Sequence, residues 1–137
     1  MMVRSLMFFF LAVHMIHSDP TRMYLKFICH PDIETWCGTL MVYESDWFTD
    51  DILKHESFCV NGVIKEFWYE LYSKGDYSPH YEWLYELSHN CTANGQNRCL
   101  EPEEHKRTKT DGIQYVHFIE AVMNAGKQVD NCTHPNG

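Results

Sequence analysis

The six cysteines of this chain constrain its fold more than any other feature. No two of them form a Cys-x-x-Cys motif, so the sequence has neither a zinc knuckle nor a thioredoxin-type redox motif. An even set of cysteines in an oxidising compartment is typical of a disulfide framework. Six cysteines allow 15 connectivities, and their spacing alone does not choose among them. The six are Cys29, Cys37, Cys59, Cys91, Cys99 and Cys132.

The N-terminal segment predicts that the chain enters such a compartment. Arg4 gives the segment a positively charged N-terminal region, and an apolar core of about a dozen residues follows it, as in secretory signal peptides. That core is shorter than the roughly 20 apolar residues that a membrane span needs. We therefore expect residues 1–18 to be a signal peptide, with Ser18 before the cleavage site, and residues 19–137 to form one extracellular domain.

Two N-glycosylation sequons agree with secretion. Asn90 and Asn131 each begin an Asn-Cys-Thr tripeptide, which satisfies the Asn-x-Ser/Thr rule. We expect glycans at both asparagines, in competition with disulfide formation at the central cysteine, which can close before the glycan is transferred.

Three segments carry apolar residues at helical spacing. The i, i+3, i+4, i+7 pattern runs over residues 33–48, 60–72 and 115–126. Residues 90–112 lack this periodicity and contain Asn-Gly and Asp-Gly pairs, which predict a long surface loop. No segment alternates clearly as a strand would. The pattern therefore predicts an all-α fold, a small disulfide-stapled three-helix bundle.

The charge balance argues against nucleic acid as a partner. The chain has 11 Lys and Arg against 19 Asp and Glu, which gives a formal net charge of −8. Proteins that bind nucleic-acid backbones use Lys and Arg to neutralise phosphates, so a chain this acidic is a poor candidate.

Signals for catalysis or for a cofactor are weak. The sequence has no G-x-S-x-G, H-E-x-x-H, P-loop or EF-hand pattern. Because the chain has nine histidines, some of them lie beside acidic residues by chance. We interpret these His–acid pairs as solvated side chains. We predict no enzyme activity, no cofactor and no metal site. The His–acid pairs are His55 with Glu56, His80 with Glu82, and His117 with Glu120.

The segment from residue 67 to residue 85 is unusually rich in Trp and Tyr. Its seven Trp and Tyr side chains cannot all face the core of a small bundle, and these residue types are enriched at protein interfaces. We assign Trp83 and Tyr85 to a partner-binding surface, the alternative being half-buried residues at the edge of the core. Interleaved acidic residues suit a partner with basic groups. The seven are Trp68, Tyr69, Tyr72, Tyr77, Tyr81, Trp83 and Tyr85.

The cysteines and their neighbours resemble the ectodomain of the receptor activity-modifying proteins, over essentially all of residues 29–133. These proteins are single-pass accessory subunits of calcitonin-family G-protein-coupled receptors, and their ectodomain is a three-helix bundle. The resemblance is carried by Cys37-Gly38, Phe58-Cys59, the two Asn-Cys-Thr sites, Cys99-Leu100-Glu101-Pro102 and Phe118-Ile119.

The resemblance implies both a disulfide pairing and a contact region. The family's connectivity gives the pairs Cys29–Cys99, Cys37–Cys91 and Cys59–Cys132. The position at which the family approaches its peptide hormone falls on Leu100, Glu101 and Pro102.

The resemblance implies a non-enzymatic accessory subunit of a class B receptor of the calcitonin-receptor type. It would aid transport of the receptor to the cell surface and modulate binding of the peptide hormone. The protein would reach the cell surface as a membrane protein only if the chain is a fragment that has lost a transmembrane segment, and would otherwise be secreted. The alternative is a secreted disulfide-rich helical effector (venom, salivary or cytokine-like) that binds a protein partner. A divergent secreted hydrolase using a His–acid pair is a third hypothesis.

Overall fold

A computed structural model describes residues 19–47, 49–73, 78–129 and 132, and this part of the chain is all-β. The predicted signal peptide and Asn131 lie outside the described residues. Within them, no helix is long and apolar enough to cross a membrane. The strands are β1 Thr21–Ile28, β2 Thr35–Ser45, β3 Asp50–Asn61, β4 Ile64–Leu71, β5 His80–His89, β6 Arg98–Leu100, β7 Lys106–Lys109, β8 Gln114–Ala121 and β9 Lys127–Gln128.

The strands form two sheets. Sheet A has three strands in the order β4-β1-β8. Sheet B has the order β3-β2-β5-β6-β9, with β7 paired to β5 beyond the end of β6. The pair β1–β8 is parallel, and the other pairs are antiparallel.

The inner faces of the two sheets share one hydrophobic core. On β1, buried residues alternate with more exposed ones, as expected for a strand with one face in a core. Tyr85 of sheet B packs edge-to-face against Phe27 and Phe118 of sheet A, with ring centroids 5.3 and 5.1 Å apart. The largest fully buried side chains include Trp36, Trp83, Tyr85, Phe27, Met23, Leu25, Leu40 and Leu87.

The predicted three-helix bundle is wrong. Its second helix coincides with β4 and the third with β8, strands that carry aromatic or aliphatic residues on both faces. Phe67 points into the core while its neighbour Trp68 points into solvent. Because both faces hold large apolar side chains, the two-residue period of a strand is hidden, and a subset of these residues falls at helical spacing.

The turn between β3 and β4 carries the chain from sheet B to sheet A. Gly62 has a φ of +126°, which a residue with a side chain rarely adopts. Its amide donates to the carbonyl of Glu34 over 3.0 Å, and its own carbonyl accepts from the indole N–H of Trp36 over 3.0 Å. The start of β2 therefore holds this turn in place.

All six cysteines are paired, which confirms the disulfide framework, but none of the three implied pairs forms. The pairing Cys29–Cys99, Cys37–Cys91 and Cys59–Cys132 belonged to a helical bundle. The sheets bring other cysteines together, because Cys37 and Cys59 are directly opposite each other on neighbouring strands. The observed pairs are Cys29–Cys91, Cys37–Cys59 and Cys99–Cys132.

Candidate functional site

The outer face of sheet A is lined with aromatic and charged side chains. Alternate residues of β1, β4 and β8 point away from the core, and the strand register aligns them in cross-strand rows. We call this surface the sheet A platform. Its rows are Glu70–Arg22–Tyr115, Trp68–Tyr24–His117 and Glu66–Lys26–Ile119.

Several large side chains of the platform are open to solvent. Trp68 is 72% exposed, Tyr115 is 63% exposed and Ile119 is 60% exposed. Tyr72, which follows the end of β4, is also exposed. Contiguous exposed apolar patches are uncommon on monomeric proteins and mark interaction sites.

The central row is ordered by ring contacts. Tyr24 and Trp68 stack with centroids 4.1 Å apart and planes 27° apart. On its other side Tyr24 meets His117 edge-on at 6.0 Å. A recess of about 440 Å³ lies among these rings, Arg22 and Tyr115. The row therefore presents a preformed aromatic surface with a shallow pocket beside it.

Arg22 is held between an acid and an aromatic ring. Its Nε donates to Glu70 Oε2 over 3.4 Å, and its Nη1 donates to the Tyr115 hydroxyl over 3.4 Å. The guanidinium carbon also lies 6.0 Å from the centre of the Tyr115 ring, within the range of a cation–π contact. The contact with Tyr115 and the charge of Glu70 raise the pKa of Arg22.

The two acids of the platform are also engaged. The Tyr72 hydroxyl donates to Glu70 Oε1 over 2.6 Å, and this bond, with that from Arg22, holds the pKa of Glu70 below its ordinary value. The Tyr24 hydroxyl donates to Glu66 Oε1 over 2.5 Å, and that bond raises the pKa of Tyr24. Hydrogen-bonded side chains lose less conformational freedom on binding than free ones, so the platform is preorganised for recognition.

The platform has the chemistry of a binding surface. Trp, Tyr and Arg are the residues that most often dominate the energy of protein interfaces.

Comparison with known proteins identifies a family. Residues 24–135 match the family described as Caenorhabditis elegans protein of unknown function (DUF870). The chain belongs to this family. The matched range begins within β1 and runs past β9, so the DUF870 region contains nearly all of both sheets. No curated protein and no solved structure matches the chain.

The His–acid pairs are not assembled into catalytic dyads in this DUF870 domain. Glu82 of β5 contacts Arg107 and lies 3.5 Å from His105, and no contact joins it to His80 in the described structure. Residues an odd number of positions apart on a strand point to opposite faces. The side chains of His55 and Glu56 therefore point to opposite faces of β3. Those of His117 and Glu120 point to opposite faces of β8 in the same way.

One group of side chains in the described ranges is close enough to hold a metal ion. Glu86 lies beside Cys99 and Cys132, with ligand atoms within 4.8 Å of one another. The two sulfurs are joined in a disulfide and offer no thiolate, so this group lacks the ligands of a metal site.

The assignment of Trp83 and Tyr85 to a partner surface is wrong. Both are fully buried because they lie on the inner face of β5, between the two sheets. The Trp83 indole N–H donates to Thr108 Oγ1 over 2.8 Å, which satisfies it inside the fold. Burial and the neighbouring charge of Glu120 raise the pKa of Tyr85, so it stays neutral.

The predicted hormone-contact region lies elsewhere on the domain. Leu100, Glu101 and Pro102 border a recess of about 350 Å³ beside the Cys99–Cys132 disulfide. Glu101 is exposed, and the other two are half-buried. They are contributed by β6 and the residues after it, in sheet B, so they are not part of the sheet A platform.

Asn90 is structurally engaged. Its Oδ1 accepts from the backbone N–H of Cys37 over 2.7 Å, and the sequon hydroxyl of Thr92 donates to the carbonyl of Gln96 over 2.9 Å. Glycosylation of Asn90 stays a prediction.

Sequence reasoning missed the centre of the platform. Arg22, Tyr24 and Lys26 alternate with Met23, Leu25 and Phe27 in an uninterrupted two-residue pattern. That alternation is the signal of a half-buried strand, and it could have located β1.

Proposed function

We propose that this protein is a secreted, non-enzymatic binding domain that docks a partner protein on the sheet A platform. The supporting observation is the exposed Trp68 stacked on Tyr24, with Arg22 held in position beside them. Rigid aromatic anchors next to an ordered arginine are typical of the residues that dominate protein interfaces.

The charge of the platform favours a protein partner over a polyanion or a membrane surface. Its two cations, Arg22 and Lys26, are matched by the carboxylates of Glu66 and Glu70. The platform is thus a nearly neutral aromatic surface on a chain whose formal net charge is −8. Depletion of unpaired charge and enrichment of aromatic residues characterise the buried centres of protein interfaces.

The disulfides support the extracellular part of the proposal. Three disulfides with no free cysteine among the six are expected in an oxidising compartment and are rare in the cytosol. The small two-layer fold gains stability from them, since each constrains the unfolded chain.

Of the two binding hypotheses, the geometry favours the secreted effector over the receptor accessory subunit. The accessory role stays a prediction, and the helical ectodomain and the disulfide pairing that the family resemblance implies are absent from the described structure. The effector was also expected to be helical, and that part is wrong. Its role, however, needs only a disulfide-stabilised domain with an exposed binding surface, which the two sheets provide.

A matched pair of tryptophan substitutions tests the proposal. Trp68→Ser removes the anchor of the platform, while Trp47→Ser removes another exposed tryptophan that lies between β2 and β3. The immobilised wild-type protein and both variants are incubated with extracellular fluid of the source organism, and bound proteins are quantified by mass spectrometry. We expect a specific partner to be retained by wild type and Trp47→Ser and lost by Trp68→Ser.

The expected loss is large enough to measure. A hot-spot tryptophan contributes at least about 2 kcal/mol, which is about a 30-fold change in Kd. Equal retention of every bound protein by Trp68→Ser and Trp47→Ser would exclude the platform as the binding surface. Unfolding curves of both variants provide the control that the fold is intact.

A further inference from the structure

The Cys37–Cys59 disulfide is the most accessible of the three. Cys59 is exposed and Cys37 is half-buried. By contrast, Cys29 and Cys91 have 6% and 0% of their surface exposed. Thiol–disulfide exchange requires direct approach of a thiolate to a sulfur atom, so the more exposed bond is favoured.

The third disulfide is less suited to attack. Cys99 and Cys132 are both half-buried, and the side chain of the buried Glu86 lies within 4.8 Å of their sulfurs. Neither cysteine of this pair is exposed as Cys59 is. Cys37–Cys59 is therefore the disulfide at which exchange with an outside thiol is expected to be fastest.

A polar recess borders Cys37–Cys59 on the outer face of sheet B. Its volume is about 510 Å³, which leaves room for a thiol-bearing segment of a partner chain. Hydroxyl and amide groups that can bond to an extended backbone line it. They are those of Thr39, Ser57, Ser88 and Asn97.

The sheet holds the two sulfurs together even without the bond between them. Cys37 and Cys59 are register partners with Cα atoms 4.0 Å apart. The β2–β3 ladder continues on both sides of them, from Thr35–Asn61 to Ser45–Asp50. Because the hydrogen bonds of this ladder do not require the disulfide, we expect the two thiols to stay within reach of each other after reduction and the disulfide to re-form.

We propose that Cys37–Cys59 is a thiol–disulfide exchange site that reacts with a thiol-bearing extracellular partner through Cys59. The partner thiolate attacks Cys59 Sγ, the Cys37–Cys59 bond breaks, and Cys37 leaves as a thiolate that takes a proton from water. A mixed disulfide between Cys59 and the partner results. Back-attack by the Cys37 thiolate restores the original bond and releases the partner thiol.

A partner with two thiols completes a redox reaction. Its second thiolate attacks the partner sulfur of the mixed disulfide, which closes a disulfide on the partner and releases Cys59 as a thiolate that takes a proton from water. Two electrons pass from the dithiol partner to this protein, and Cys37 and Cys59 are left reduced. This inference does not depend on the sheet A platform, which lies in the other sheet.

Timed reduction of the wild-type protein tests the proposal without any substitution. The folded protein is exposed to dithiothreitol at neutral pH, quenched in acid, alkylated and analysed by peptide mass spectrometry. We expect Cys37 and Cys59 to be labelled at least about tenfold faster than Cys29 and Cys91, while far-UV circular dichroism stays unchanged. Simultaneous labelling of all six cysteines, or loss of the β signal with the first bond, would overturn the proposal.

Trapping of the first mixed disulfide tests which sulfur is attacked. The folded wild-type protein is mixed with excess reduced glutathione and quenched in acid at short times, and the cysteine that carries glutathione is identified by peptide mass spectrometry. We expect the adduct on Cys59 to exceed the adduct on Cys37 several-fold. Equal adducts, or more adduct on Cys37, would contradict the role of Cys59.

Discussion

Adjacent residues on β4 offer a direct test of the strand that carries the platform. Phe67 is 4% exposed and lies among the rings of Phe58 and Tyr69, at centroid distances of 5.4 and 5.9 Å. Trp68, one residue later, is mostly exposed and contacts the ring of Tyr24. In the helical stripe that the sequence predicts, both side chains would face the core, so the two structures give different energies for the same substitutions.

The expected magnitudes differ by several-fold. Phe67→Ala removes a buried aromatic ring and leaves a cavity, which costs about 3–5 kcal/mol of unfolding free energy. Trp68→Ala removes one exposed aromatic stack, which is worth about 0.5–1.5 kcal/mol. Guanidinium unfolding of the oxidised protein, followed by far-UV circular dichroism, measures both values.

One outcome would exclude this orientation of β4. If Trp68→Ala costs as much as Phe67→Ala, both side chains are buried and β4 does not have the faces described here. Should Phe67→Ala fail to fold, Phe67→Leu keeps the comparison available at a smaller cost. The matched substitution Trp47→Ala controls for the loss of an exposed tryptophan.

Three further substitutions test other parts of the fold. Gly126 has a φ of +87° and an added Cβ would lie 2.2 Å from the Cys99 carbonyl oxygen, so Gly126→Ala should cost at least about 2 kcal/mol. Gly95→Ala, at a φ of +72° in open space, should cost about 1 kcal/mol in the same unfolding assay. Burial lowers the pKa of His89, whose Nε2 donates to the Ala125 carbonyl over 3.1 Å. The unfolded chain therefore binds a proton below about pH 6.5 that the folded chain does not, and stability falls as pH falls. In His89→Gln, unfolding free energy between pH 5 and 7 should change less than in wild type, and identical pH profiles would exclude His89 as the cause.

The sequence predicts the disulfide framework but not its connectivity. Pairing of all six cysteines follows from their even number and the expected compartment, and the structure has it. The partner of Cys37 depends on the register of β2 against β3, which a shift of a single residue would change. Spacing along the chain carries no information about that register.

The strands of sheet A differ in how clearly the sequence predicts them. β1 alternates without a break and could have been recognised, whereas β4 and β8 are apolar on both faces. Their helical pattern arises because the platform uses large apolar side chains on the solvent side. The strands that are hardest to predict are therefore two of the three that carry the candidate binding surface.

For the aromatic segment, residues 67–85, the sequence does not predict which individual side chains are exposed. Its excess of Trp and Tyr correctly indicates that some of these side chains are exposed. Which ones are exposed depends on which face of each strand meets the other sheet. Trp68 lies on the outer face of sheet A and Trp83 on the inner face of sheet B, although their sequence surroundings are similar.

Site-specific photo-crosslinking tests whether the sheet A platform binds a partner protein. A photoreactive amino acid replaces Tyr115 on the platform or, as the control, Ile52 on β3, which is exposed to a similar degree. Each protein is irradiated in extracellular fluid of the source organism. We predict one dominant crosslinked protein at position 115 that is absent at position 52. Unlabelled wild-type protein should compete with its formation, and Trp68→Ser should not. If the same crosslinked species forms at both positions, or if none forms at position 115, the sheet A platform is not the surface that binds the partner.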